Sequence, residues 1–162
     1  MKYWLVWGVV LLICLIVQST LLPMLTYNGT HADLLLVVIV LASLHLGPKQ
    51  GTMIGFTAGL LQDLASGSFI GMNAFLKVVT AFCLGMTKHK VFQDNVFLPL
   101  FGTGVATVAN YFFGAIIMFL LGYRFNLGEN ILNMLVPLLI FNMVLAFPVQ
   151  LLIRRFSGKS SE

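Results

Sequence analysis

Asp33, Asp63 and Lys77 stand inside stretches with almost no other charge, and they are the residues of this sequence best placed for chemistry at low dielectric. A carboxylate and an ammonium in apolar surroundings serve either as a proton or cation relay or as a clamp between helices. A relay needs a chain of titratable groups, and none surrounds these three. The clamp is the better reading. Helical rise puts Asp63 about 18 Å beyond Gly51, and Lys77 about 9 Å below Gly71 on a returning helix. The two would meet across the tight Ser66-Gly67-Ser68 turn. Asp33 is the other partner within reach of Lys77, and spacing leaves both pairings open.

Other reactive residue types are poorly assembled. Ala65-Ser66-Gly67 is similar to part of the G-x-S-G motif of rhomboid proteases, but Leu64 stands where the first glycine belongs. No histidine lies on a later apolar segment to activate the serine. His31 and Asp33 lack further metal ligands beside them, and His45 stands alone. No catalytic residue, metal or cofactor is therefore expected. Cys14 and Cys83 lie in apolar runs, where a thiol acts as a small hydrophobe. Asn28-Gly29-Thr30 has the form of a glycosylation sequon, a short pattern common by chance.

The elements that must hold the charged residues carry their own signal. Gly47, Gly51, Gly55 and Gly59 recur at every fourth position, which makes one glycine stripe on a helix and lets another backbone approach closely. The simplest use is packing against the preceding or following helix. The other is a groove for a partner helix, a second copy of the chain included. Gly102, Ala106, Asn110 and Gly114 form a second stripe of small residues, with Asn110 placed to hydrogen-bond across helices.

Composition decides the class. The chain is 59% hydrophobic and 9% charged, with a mean hydropathy of +1.00, whereas soluble domains run near roughly 45–50% apolar and about 25% charged. This is an integral membrane protein, and runs such as WLVWGVVLLICLIV lack the two-residue alternation of a membrane barrel. An all-α fold is expected, with six spans at about 3–26, 33–46, 50–64, 70–87, 96–122 and 131–153. The first is read as a retained span, since its uncharged run from Tyr3 to Ala32 is too long for a signal peptide.

Spans one, five and six are uncharged throughout, so the polar business of the chain sits in spans two to four. With the N-terminus inside, Lys2, Lys49, Lys88, Lys90, Arg154, Arg155 and Lys159 face the cytoplasm and only Arg124 faces out. That bias places both termini in the cytoplasm. A re-entrant hairpin over 33–64 leaves the same parity but drives Pro48 and Lys49 into the membrane core. No loop is long enough to fold as a domain, and no nucleic-acid footprint is present.

The order of these features resembles the rod shape-determining protein MreD family. It is carried by Gln18-Ser19-Thr20, Ala32-Asp33-Leu34-Leu35-Leu36, Gly55-Phe56, Gly59-Leu60-Leu61-Gln62-Asp63-Leu64, Ser66-Gly67, and Gly71 with Ala74. Lys77 and Lys90-Val91-Phe92 look like its Gram-positive branch, while Ala32 stands where the pattern often has proline. The resemblance implies a non-enzymatic subunit of the bacterial cell-elongation machinery in the cytoplasmic membrane. Implied partners are an MreC-like bitopic protein and, indirectly, MreB-like filaments and the RodA glycosyltransferase with its penicillin-binding partner. It also implies kinship with the six-span substrate-binding subunits of energy-coupling-factor vitamin transporters, which makes a vitamin-type transport subunit the alternative function. Gly55, Gly59, Asp63 and Gly71 are carried over as structural motif positions only.

Overall fold

The computed structural model describes residues 2–26, 30, 32–67, 69–87, 97–122 and 131–157. Their elements are helical: α1 (Lys2–Thr20), α2 (Leu34–Leu46), α3 (Pro48–Ser66), α4 (Met72–Gly85), α5 (Phe97–Leu120) and α6 (Val136–Ser157). A 3-10 turn, Leu22–Leu25, follows α1, and a π-helical turn, Ile131–Leu135, leads into α6. A helix lies over each of the six stretches expected as spans. Within the first stretch, expected at about 3–26, the α-helix stops at Thr20 and the 3-10 turn carries on to Leu25. Pro23 is the physical reason, because it lacks an N–H and restricts the residue before it.

Among the described residues, three stretches are long and apolar enough to cross a membrane: Leu5–Met24, Pro99–Leu120 and Ile131–Leu151. The other helices fall short in different ways. With 13 and 14 residues, α2 and α4 reach only about 20 Å, against a hydrocarbon core of about 30 Å. α3 has 19 residues but carries Lys49, Gln50, Gln62 and Asp63.

α2 is the centre of the bundle. Leu35 through Leu44 are buried without interruption, so this helix meets protein on every side. Leu35, Val38, Ile39 and Ala42 pack with Leu11 of α1, Ile54 and Ala58 of α3 and Ala81 of α4. Leu36, Val40 and Leu44 meet Ala106 of α5. Val37 and Leu41 meet Ala146 of α6.

The connections around α3 are tight. Gly47 joins α2 to α3 at φ +93°, donating its N–H to the Ser43 carbonyl at 2.9 Å. Pro48 then opens α3, where a missing N–H does no harm. Gly67 closes α3 in the left-handed region, its N–H bonded to the Asp63 carbonyl. The sequon residues Asn28 and Gly29, His31, Ser68, and the loop cations Lys88, Lys90 and Arg124 lie outside the described residues.

Candidate functional site

The glycine stripe faces inward. A methyl group built on Gly51 would strike Ser43 of α2, and one built on Gly59 would strike the Ala74 backbone of α4. On Gly55 it would lie 2.9 Å from the Lys77 carbonyl oxygen. Gly85 of α4 meets the Pro48 backbone in the same way. These contacts set one antiparallel register for α3 and α4, with backbones touching along most of the pair. The stripe of α5 is looser: Gly102 and Gly114 stand at ordinary contact from Leu44 and Leu76. Asn110 donates to Thr80 Oγ1 of α4 at 2.6 Å and to the Ala106 carbonyl at 3.0 Å.

Asp63 is fully buried and does not pair with Lys77. Its carboxylate caps the start of α4 instead. Oδ2 accepts from the Gly71 N–H at 2.8 Å and the Ala74 N–H at 3.1 Å. Oδ1 accepts from the Asn73 N–H at 3.0 Å and from its Nδ2 at 2.9 Å. A helix start presents unsatisfied N–H groups and the positive end of its dipole, so a carboxylate there is stabilised without a cation. Gly71 makes the approach possible through its φ of +99°, a conformation costly for any residue with a Cβ.

Lys77 pairs with Asp33. Its Nζ lies 2.8 Å from Asp33 Oδ2; the lysine side chain is 1% exposed and the aspartate 21%. Asp33 is also the N-cap of α2, its Oδ1 accepting from the Leu36 N–H at 3.0 Å. The Gln62 amide lies beside the same carboxylate. The backbone N–H of Asp33 donates to Asn142 Oδ1 of α6 at 2.8 Å, and Leu35 N–H donates to Gln18 Oε1 of α1 at 3.1 Å. Asn142 in turn donates to Thr107 Oγ1 of α5 at 3.0 Å. The head of α2 is therefore a polar junction to which all the other helices contribute a side chain.

Of the residues at this junction, Asp33 and Lys77 are expected from sequence, Gln18 only as a motif position, and Asn142 and Thr107 not at all. Asn142 is a lone polar residue in an apolar run, a usable signal in a membrane helix, where an unsatisfied amide is costly; Gln18 and Thr107 have other polar residues close by in sequence. Gln150 carries the same signal as Asn142. It is 1% exposed, and neither of its amide atoms has a hydrogen-bond partner.

The junction orients helices and offers little reactivity. Its acid and its amine are joined to each other, and among the described residues no three His, Cys, Asp or Glu side chains come together as a metal site. An apolar groove of about 410 Å³ runs between α1 and α3, past Trp7, Gly8 and Leu61, and no residue of the junction lines it.

A helical membrane bundle with a polar junction locked inside it is the class these features define. The family model for the rod shape-determining protein MreD matches residues 1–159. The chain belongs to that family, whose members are shape-determining membrane proteins. No curated protein and no solved structure matches it, so the kinship with vitamin-transporter subunits stands as an expectation.

Proposed function

We propose that this protein is a non-enzymatic scaffold of the bacterial cell-elongation machinery. It sits in the cytoplasmic membrane, crosses it six times and keeps both termini inside. It binds an MreC-like bitopic protein and, through that partner, influences MreB-like filaments and the RodA–penicillin-binding-protein pair during lateral wall synthesis. The family match over residues 1–159 carries this reading. The internal bonding of these three residues, Asp33, Asp63 and Lys77, supports it, because Lys77 is bonded to Asp33 and Asp63 to the start of α4, and the work is left to outward surfaces.

Depletion in a rod-shaped host without a second copy of the gene tests the proposal. Cells are expected to round up within a few generations, and the tagged protein is expected to co-purify with an MreC-like partner. Normal rods after clean depletion would refute the role in shape. Saturable binding of a vitamin by the purified protein, lost in Lys77→Ala, would replace it with a transport function.

A further inference from the structure

We propose that α3 does not cross the membrane alone, and that α2, α3 and α4 enter it as one closed unit. The inference does not rest on the proposed partners.

α1, α5 and α6 contain stretches that qualify as spans by themselves. α2 and α4 are shorter apolar helices, and α3 brings Gln62 and Asp63 toward its outer end with no apolar compensation from its glycines. A carboxylate exposed to hydrocarbon is strongly disfavoured, as is any backbone N–H left without a partner. The two charged defects are cancelled within the same trio, while Gln18 of α1 and Asn142 of α6 take N–H groups at the head of α2. Asp63 of α3 is satisfied by N–H groups of α4. Lys77 of α4 is satisfied by Asp33 of α2. Gly55 and Gly59 bring the α3 and α4 backbones into contact, leaving no room between them for lipid. The defects of one helix are the remedies of the next, and none is remedied before the helices meet. Asn142 of α6, which takes the Asp33 N–H, arrives last in chain order and closes the assembly.

The consequence is that carrying the α3–α4 turn across the membrane depends on α3–α4 packing rather than on the hydropathy of α3. The full-length chain tests this, with Cys14→Ala and Cys83→Ala as background and Phe69→Cys as a reporter in the turn. Labelling by a membrane-impermeant maleimide is read in intact spheroplasts on pulse-synthesised protein, before degradation acts. Thr26→Cys after α1 and Leu121→Cys after α5 are controls in separate chains. Phe69→Cys is expected to label from outside. Gly59→Leu, which forces the two backbones apart, is expected to lower that labelling about tenfold while both controls keep theirs. Adding Gln62→Leu and Asp63→Leu to Gly59→Leu makes α3 apolar, and labelling at position 69 is expected to return although the cap on α4 is gone. A merely structural role for Asp63 predicts the opposite, since the triple variant loses more contacts than the single one. Unchanged labelling in Gly59→Leu would overturn the proposal, as would a triple variant that stays unlabelled while the controls label. So would labelling of Phe69→Cys from the inner side alone.

Discussion

Helices α1 and α2 are both apolar on every face, yet α1 turns half of its described side chains outward while α2 is buried along most of its length. Leu5, Val6, Val9, Leu12, Ile13 and Ile16 of α1 are exposed, and among its described apolar side chains only Leu11 is fully buried. In α2 the burial is continuous from Leu35 to Leu44. A helix that is hydrophobic all round belongs in a protein core or in lipid, and this chain contains one of each. The contrast extends to their neighbours. α1, α5 and α6 have the length and hydropathy of spans, whereas the trio around α2 relies on touching backbones and closed polar contacts. Anchorage and architecture are thus divided between two sets of helices.

The largest test of that division is Lys77→Met. It leaves the Asp33 carboxylate unpaired in the interior and is expected to destabilise the protein in detergent by about 3–5 kcal/mol, as breaking a buried pair does. Asp33→Asn combined with Lys77→Met should recover a large part of the loss. Additive single effects in the unfolding titrations would mean that the two side chains are not coupled.

A second comparison sets Ile39→Ala on α2 against Ile13→Ala on α1. The first empties a site with no exposure and should cost about 2–5 kcal/mol. The second trims an exposed side chain and should stay within roughly 0.5 kcal/mol. Equal losses in thermal unfolding would erase the distinction between the two helices.

A change of opposite sign, smaller than those at Lys77 and Ile39, is expected at Gln150, whose buried amide lacks partners. Gln150→Leu keeps a similar volume and removes the unmet polar groups, so a gain of about 1–3 kcal/mol should follow. A loss of stability on this change would show that the amide is engaged in the native state.

Much of this division was legible in the residues. Composition gave the membrane class, and the distribution of charge singled out the region of spans two to four. The period of four in Gly47, Gly51, Gly55 and Gly59 identified a close-packing face. The face it meets was not legible, because a glycine stripe is equally suited to an internal neighbour and to a partner helix. The choice of Asp33 for Lys77 was also hidden. Helical rise places both acids within reach, and only the cap at Gly71–Ala74 shows why Asp63 is already engaged. Nor does hydropathy separate α1 from α2, since lipid and a protein interior ask for the same side chains.

That cap has a bearing on how the region tolerates mutation. Among the described residues, three of the four donors to Asp63 are backbone amides, those of Gly71, Asn73 and Ala74, and exchanging a side chain removes none of them. Only the Nδ2 of Asn73 is a side-chain donor. A saturation scan across this turn would therefore register a prohibition on proline at 73 and 74, which erases a donor outright. The acid is anchored to the polymer itself more than to its decoration.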